Sequence, residues 1–336
     1  MKNTQVVLAR RPNGYPVPED FRVEDVELIE PQEGQALVKN LYISLDAGFR
    51  NWMDEGAGDA VLPAMPLDQP VMGLVVGRVH QSNNPALAEG QLVMARLAWQ
   101  AWSIANADDF VVPLDDIGNL PLSYHLGVLG DTGMSGYFGL KDIGQPKPTD
   151  TVLVSAAGGA VGIVAGQVAR ILGAKTVVGF AGSDEKCRRL ESEVGYDKVI
   201  NYRAGNVSEQ LGQACPNGVD VYFDNVGGAL LEVVLDHITH GARIPFCGAV
   251  SDYNQNSPGP SNLFNIVTNS ASLTGFMTHE RVDRYGEARD QLTAWLQSGE
   301  LKAYEQVYEG VEKTGLAFCD LFAGNNFGKT VVRVSS

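Results

Sequence analysis

Residues 151–172 run from a β-like stretch through a glycine-rich turn into a helical pattern, with the sequence TVLVSAAGGAVGIVAGQVARIL. Ala157, Gly159 and Gly162 stand at the spacing of the G-x-G-x-x-G fingerprint, with alanine in the first place. Small residues let a backbone approach phosphate groups, and the N–H groups at a helix start attract negative charge. The segment therefore predicts a site for the pyrophosphate of a dinucleotide.

Composition limits the partners that the protein can have. The chain has 336 residues and a formal net charge of −15, which argues against binding to nucleic acid or to acidic membranes. No stretch approaches the roughly 20 apolar residues of a membrane span, and the N-terminus lacks the apolar run of a signal peptide. We therefore expect a cytoplasmic protein that builds any phosphate site locally.

The sequence offers no recognisable ligand set for a metal. The four cysteines lie far apart, without a C-x-x-C motif or a neighbouring histidine pair. They are Cys187, Cys215, Cys247 and Cys319. We expect free, mostly buried thiols and no metal site.

Two spacings suggest chemistry but are better explained otherwise. Tyr137 and Lys141 have the Y-x-x-x-K spacing of short-chain dehydrogenases, but they precede the glycine turn instead of following it. His237 and His240 stand three apart on a predicted helix and lack a third ligand. We interpret the first pair as chance and the second as a solvated helix face.

Hydrophobic patterning divides the chain into two kinds of structure. From Val6 to about Val112 short alternating runs predict a largely antiparallel, β-rich module. A helix is predicted over 125–140, and from Thr151 strands and helices alternate, which predicts an α/β fold with a doubly wound parallel sheet. The candidate strands of that sheet are 151–155, 176–180, 198–201, 219–224, 242–247 and 273–277. A helix from about 281, a loop over 255–261 and a strand over 329–334 complete the prediction, and that strand is expected to return to the β-rich module.

The end of the second strand of the alternating region indicates the nicotinamide cofactor. NAD-specific sites usually carry an acid about twenty residues after the glycines, to bind the ribose 2′-hydroxyl. Residues 179–183 contain no acid, and the two acids that follow Ser183 are typical of a helix start that Ser183 caps. Lys186, with Arg188 and Arg189 nearby, would suit a 2′-phosphate, so the pattern favours NADP(H).

Many stretches in the same order resemble one known family, the zinc-independent branch of the medium-chain dehydrogenase/reductases that contains leukotriene/prostaglandin reductases and curcumin-reductase-like enzymes. The resemblance covers nearly the whole chain. It rests on residues 7–21, 41–50, 156–162, 181–186, 223–228, 247–254, 257–261 and 325–334. It implies a Rossmann domain over 125–295 inserted in a β-rich, GroES-like catalytic domain formed by 1–124 and 296–336. The chain departs from the family patterns at 46–50 and 130–137, both expected near the substrate.

The resemblance also implies roles for individual residues. Gly159, Ala160, Val161 and Gly162 would meet the pyrophosphate, and Lys186 and Tyr202 the 2′-phosphate of NADPH/NADP+. The residues implied for the nicotinamide half are Asn225, Cys247, Gly248, Ala249, Val250, Ser251, Tyr253, Phe276, Met277 and Asn326. Without the resemblance, Asn225 and Asn326 would be ordinary turn or loop residues. The family further implies a homodimer.

The chemistry that fits this residue set is reduction of a conjugated double bond. Conjugation with a carbonyl makes the β-carbon electrophilic, so a hydride can be accepted without a metal if the enolate is stabilised. Tyr253 is the candidate catalytic residue, because a phenol with a pKa of about 10 stays protonated near neutral pH and can donate to the enolate oxygen. The substrate would be a small α,β-unsaturated ketone or aldehyde. Quinone reduction, allylic-alcohol oxidation and a non-catalytic NADPH-binding sensor or crystallin-like protein are the alternatives.

Overall fold

The computed structural model describes residues 2–58, 62–115, 117–253 and 259–334. Its strands, numbered along the chain, are β1 (Lys2–Leu8), β2 (Phe21–Glu27), β3 (Ala36–Ser44), β4 (Met72–Ser82), β5 (Leu92–Ala98), β6 (Trp102–Ala105), β7 (Val111–Pro113), β8 (Thr151–Val154), β9 (Thr176–Ala181), β10 (Lys198–Asn201), β11 (Val219–Phe223), β12 (Ile238–Phe246), β13 (Ser272–Gly275), β14 (Glu305–Glu309) and β15 (Lys329–Arg333).

The α-helices are α1 (Asp131–Phe138), α2 (Ala160–Ile171), α3 (Asp184–Arg189), α4 (Val207–Ala214), α5 (Gly228–Leu235), α6 (Phe264–Thr268), α7 (Tyr285–Ser298) and α8 (Thr314–Ala323). Short 3-10 segments lie at Pro18–Asp20, Ala47–Trp52, Leu122–Leu126, Tyr202–Ala204, Thr278–Arg284 and Val311–Lys313, and π-helical turns at Gly139–Gly144 and Leu190–Val194. None of the helices in the described ranges is both long and apolar enough to cross a membrane.

The described chain divides into two compact units, of which the first is built from both ends of the sequence. It contains the described residues within Met1–Gly127, Glu305–Asn326 and Thr330–Ser336. Its antiparallel sheet has the order β14-β15-β3-β4-β5-β7, with β6 paired to β3. Val332 of β15 lies opposite Ile43 of β3, so the last strand pairs within this sheet.

The second unit, Val128–Tyr304 with Phe327–Lys329, is a parallel sheet with helices between its strands. Its strand order is β10-β9-β8-β11-β12-β13. The strands are rich in fully buried residues such as Leu153, Val178 and Tyr222, as expected when helices cover both faces of a parallel sheet. The order reverses between β8 and β11, and this switch point is where such sheets bind ligands, outside the carboxyl ends of the strands. The predicted α/β class and doubly wound sheet are confirmed.

Two local predictions differ from the structure, and a third falls partly on residues that the structure does not describe. The helix predicted over 125–140 is interrupted, because Gly127 and Gly130 adopt non-helical conformations and α1 starts only at Asp131. The helix predicted from about 281 begins as an α-helix at Tyr285, after a 3-10 segment. The predicted loop over 255–261 lies partly outside the described residues, since 254–258 are not among them.

The interpretation of His237 and His240 as residues of one helix is wrong. Helix α5 ends at Leu235, and His240 lies within strand β12. The carbonyl of His237 accepts a hydrogen bond from Val219 N–H, which draws the chain into the sheet two residues after the helix. The Nε2 atom of His237 lies 2.8 Å from Ser208 Oγ.

Candidate dinucleotide site

The glycine-rich turn joins the carboxyl end of β8 to the start of α2. Ala156 adopts a left-handed conformation with φ of 47°, and Gly159 is the residue that precedes the helix. A Cβ on Gly162 would lie 2.3 Å from the carbonyl oxygen of Ala156, so only glycine fits there. No side chain in the described ranges caps this helix start, which leaves its positive end open to an anion. Gly159, Ala160, Val161 and Gly162 thus lie together at the first turn of α2.

The end of strand β9 carries no acid and is closed by other side chains. Ser183 caps α3 by accepting a hydrogen bond from the Lys186 N–H, at 3.3 Å, which confirms the capping interpretation. A Cβ on Gly182 would lie 3.0 Å from the Tyr202 hydroxyl and 3.4 Å from Arg203 Nε. The tyrosine and the arginine that follow β10 therefore stand against the end of β9.

Lys186 and Arg203 place two cations at this position. Burial, together with the positive charge of Arg203, lowers the pKa of Lys186 to about 8. The Lys186 Cδ atom lies 3.5 Å from where a Cβ on Gly158 would be, so its side chain reaches back to the glycine turn. Neighbouring cations that destabilise each other are stabilised by an anion between them, and a phosphate dianion is the anion that this geometry suits.

One of the nearby basic residues, Arg189, is paired with other side chains of the structure. Arg189 donates two hydrogen bonds to Glu193, at 2.8 and 3.1 Å, and its guanidinium lies 3.7 Å from the centre of the Phe327 ring. Its charge is therefore paired with the carboxylate of Glu193. Arg203 was not predicted, although it directly follows the predicted residue Tyr202, and that adjacency is the signal that could have found it.

At the switch point, Asn225 is held beside the end of strand β8. Its backbone N–H donates to Ser155 Oγ at 2.8 Å, and its side-chain Nδ2 donates to the Ser155 carbonyl at 2.8 Å. Asn225 is thus fixed at the carboxyl edge of the sheet, where its predicted role in holding the nicotinamide half requires it.

Residues Cys247–Ser251 form a turn after β12 that packs on the segment around Asn225. Val250 N–H donates to the Asn225 carbonyl at 3.2 Å, and Ser251 N–H donates to the Val226 carbonyl at 3.1 Å. Burial raises the pKa of the Cys247 thiol to about 12, so this cysteine stays protonated and is not a nucleophile. The turn therefore contributes shape and backbone groups.

Tyr253 lies against the same turn. Its hydroxyl oxygen lies 3.3 Å from where a Cβ on Gly248 would be. Burial raises the pKa of Tyr253, although the backbone of Ala249 opposes that shift, so the phenol keeps its proton at neutral pH. A protonated phenol can donate a hydrogen bond.

The remaining predicted residues are placed differently from one another. Phe276 is buried, with its ring edge-on to Phe223 at 6.4 Å, whereas Met277 is 49% exposed. Asn326 belongs to the first unit, immediately before the Phe327–Lys329 segment that belongs to the second. Within the described ranges, no group of three or more His, Cys, Asp or Glu side chains is arranged to hold a metal ion.

Two family models match the chain. One, described as the N-terminal domain of oxidoreductase, covers residues 4–112. The other, described as zinc-binding dehydrogenase, covers residues 160–294. The described residues do not fit the zinc ion of that description, because they offer no ligand group for it.

Similar proteins cover the full length of the chain. The NADPH-dependent curcumin reductase of Escherichia coli is 38% identical over 99% of this chain and 97% of its own, and the NADP-dependent 2-alkenal reductase of Nicotiana tabacum is 36% identical over 100% and 98%. The crystal structure of CurA from Vibrio vulnificus in complex with NADPH superposes with a TM-score of 0.89 at 36% identity, over 99% of each chain. The chain therefore belongs to the medium-chain dehydrogenase/reductase superfamily, in the branch of the curcumin and prostaglandin reductases.

Proposed function

We propose that the protein is an NADP-dependent oxidoreductase that reduces the activated C=C bond of α,β-unsaturated ketones or aldehydes. One observation carries the proposal: two kinds of group follow the carboxyl ends of the strands of the parallel sheet. Lys186 and Arg203 form a cation pair suited to a 2′-phosphate, and Tyr253 supplies a protonated phenol. Relatives named for NADPH-dependent curcumin reduction and for 2-alkenal reduction support the same chemistry.

Different residues of the second unit would bind different parts of the cofactor. The first turn of α2 would receive the pyrophosphate through its N–H groups and the positive end of the helix. Lys186, Tyr202 and Arg203 would bind the 2′-phosphate, and Asn225 with the 247–251 turn would hold the nicotinamide half. NADPH, when bound, supplies the hydride that the β-carbon of the substrate accepts.

Tyr253 would act at the carbonyl end of the conjugated system. Hydride addition at the β-carbon moves negative charge onto the carbonyl oxygen, and a phenol donor stabilises that enolate. The proton that completes the reaction is added at the α-carbon. Since removing one such donor costs about 10²-fold or more in rate, Tyr253→Phe should lower kcat by roughly that factor while NADPH affinity changes little.

Oxidation of NADPH and of NADH with a panel of enones, enals, quinones and allylic alcohols tests the proposal. We expect rapid turnover of enones and enals with NADPH, and a product in which the carbonyl is kept and the double bond is saturated. Tight NADPH binding without turnover would contradict an enzymatic function. Faster turnover of quinones, or equal efficiency with NADH, would contradict the proposed substrate or cofactor.

We further propose that the protein is a homodimer formed through the edge of the parallel sheet. Strand β13 is the last strand in the order and pairs with β12 alone among the named strands. Helix α6 and the residue before it expose apolar side chains beside it: Leu263 is 50% exposed, Phe264 71% and Val267 65%. An open strand edge beside an apolar patch suits pairing with a second copy.

A cytoplasmic location is also proposed. All four cysteines are free thiols, and two of them, Cys187 and Cys215, are buried. Unpaired thiols suit a reducing compartment.

A further inference from the structure

Asp224 is a fully buried acid at the switch point that none of the proposed cofactor contacts uses. Its side chain is 0% exposed, and one carboxylate oxygen, Oδ1, accepts four hydrogen bonds. The donors are Ser155 Oγ at 2.9 Å, the Tyr222 hydroxyl at 2.9 Å, Val226 N–H at 2.9 Å and Gly227 N–H at 3.0 Å. The other oxygen, Oδ2, is buried and has no hydrogen-bond partner among the described residues.

Burying a carboxylate costs free energy, which indicates that its oxygen is needed as a hydrogen-bond acceptor for the four donors. Burial raises the pKa of Asp224, while the N–H groups of Val226 and Gly227 oppose that shift. A hydrophobic side chain here would leave two hydroxyls and two N–H groups to find other partners. The four donors come from the ends of β8 and β11 and from the turn after β11, so Asp224 joins the two strands that flank the switch point.

The network extends from Asp224 to the residues proposed to hold the nicotinamide half. Ser155 Oγ donates to Asp224 and in turn accepts the Asn225 N–H at 2.8 Å. The Asp224 carbonyl accepts the Cys247 N–H at 2.8 Å, and the Val226 carbonyl accepts the Ser251 N–H at 3.1 Å. The position of Asn225 and that of the 247–251 turn therefore both depend on where Asp224 is held.

We propose that Asp224 is a positioning residue for hydride transfer, which fixes Asn225 and the 247–251 turn through Ser155 and the 224–227 backbone. The residues proposed to bind the 2′-phosphate follow β9 and β10, which lie on the other side of β8. Loss of Asp224 should therefore disturb the nicotinamide half and leave the preference for NADPH over NADH unchanged. Misplacement by about 1 Å near reacting atoms can cost about 10²-fold in rate.

The test compares Asp224→Ala, Asp224→Asn and Ser155→Ala in the full-length protein. For Asp224→Ala we expect kcat for enone reduction to fall at least about tenfold, a larger primary isotope effect with NADPH deuterated at C4, and an unchanged NADPH/NADH preference. Asp224→Asn keeps an acceptor oxygen and should recover most of the activity. Ser155→Ala removes the hydroxyl that joins Asp224 to the Asn225 N–H and leaves the other three donors to Asp224 in place. It should show the same pattern more weakly if Asp224→Ala does not fold.

Asp150→Ala is the matched control. Asp150 is also buried in the second unit and pairs with Arg243, but it precedes β8 and so lies at the amino end of the strand. Asp150→Ala should lower the unfolding temperature without changing kcat or the isotope effect. The inference is contradicted if Asp224→Ala or Ser155→Ala changes only the unfolding temperature, as the control does, or if Asp224→Asn is as impaired as Asp224→Ala.

The inference rests on the proposed function for its turnover readout, so a second readout separates the two. If the wild-type protein reduces no enone, the proposed function fails, and the fluorescence of bound NADPH still reports the environment of the nicotinamide. Wild-type and Asp150→Ala proteins should then give the same emission, and Asp224→Ala a different one. Identical emission from all three would overturn the role of Asp224.

Discussion

At the scale of single residues, the pKa of Lys186 predicts how cofactor choice depends on pH. With a pKa of about 8 in the free protein, Lys186 is charged at pH 7 and mostly neutral near pH 9. The 2′-phosphate favours the charged form, so NADPH affinity should fall by up to about tenfold over that range, because one pH unit above a pKa leaves about a tenth of the group protonated. NADH lacks the phosphate and should show no such loss.

Titration of both cofactors by fluorescence from pH 7 to about 9 measures the effect. Arginine keeps its charge over this range, so Lys186→Arg should remove the pH dependence even if it weakens binding. A ratio of NADPH to NADH affinity that stays flat in the wild-type protein would show that Lys186 does not meet the phosphate.

Gly162 supplies a second prediction at this scale, because its lack of a side chain lets the turn close. A Cβ would lie 2.3 Å from Ala156 O and 2.8 Å from Ala157 Cα, so Gly162→Ala must displace the turn. We expect the dissociation constant for NADPH to rise at least about tenfold, or about 1.4 kcal/mol. Gly286→Ala is the control: a Cβ there meets nothing within 4 Å, and binding should not change.

Residue types and spacing were enough to predict the glycine turn and the cap at Ser183, because both are local. They could not predict the second cation. Arg189 is nearer to Lys186 in sequence, but Glu193 one helical turn away and the Phe327 ring engage it. Arg203 follows a different strand and meets Gly182 only because β10 lies beside β9.

At the scale of elements, the proposed dimer makes the next prediction. A charge at Phe264, on the exposed side of α6, would be buried in the interface, so Phe264→Glu should convert the dimer to a monomer. Sedimentation or light scattering measures the change, and circular dichroism checks that the fold is kept. Leu316→Glu, at an exposed position of α8 in the first unit, is the control that should leave the oligomeric state unchanged. A wild-type monomer, or a Phe264→Glu dimer, would contradict the proposal.

The strands of the second unit were predicted more accurately than its helices, and the reason is physical. A buried parallel strand is a short apolar run, which composition reveals directly. The helical segment after Leu120 is interrupted by glycines and is held by distant partners: Tyr137 and Lys141 both contact Glu287 Oε1, 146 or more residues away. That contact also accounts for the Y-x-x-x-K spacing, whose partner no local pattern reveals.

At the scale of the whole molecule, the change from alternating β patterns to βα repeats predicted two kinds of structure. It could not reveal that the chain contributes Phe327–Lys329 to the second unit between two stretches of the first. The Gly328 N–H donates to the Gly158 carbonyl at 2.9 Å, and the Lys329 N–H donates to the Tyr304 carbonyl at 2.8 Å. The Phe327–Lys329 segment therefore braces the glycine turn, although the two lie far apart in sequence.

Because Gly328 donates to the glycine turn, a substitution at Gly328 should weaken cofactor binding. Gly328 has a φ of 79°, and a Cβ would lie 2.1 Å from the Tyr304 carbonyl oxygen. Gly328→Ala combines about 1–2 kcal/mol of left-handed backbone strain with that clash. We expect a lower unfolding temperature and weaker NADPH binding, because the hydrogen bond to Gly158 is displaced with it.

Gly299→Ala separates strain from contact. Gly299 has a φ of 80° and open space around its Cβ position, so alanine there carries the strain alone. Thermal unfolding and NADPH titration of both variants should show a larger loss of stability for Gly328→Ala and a loss of affinity for it alone. Equal losses in the two variants would mean that strain accounts for the whole effect and that the 327–329 segment does not brace the glycine turn.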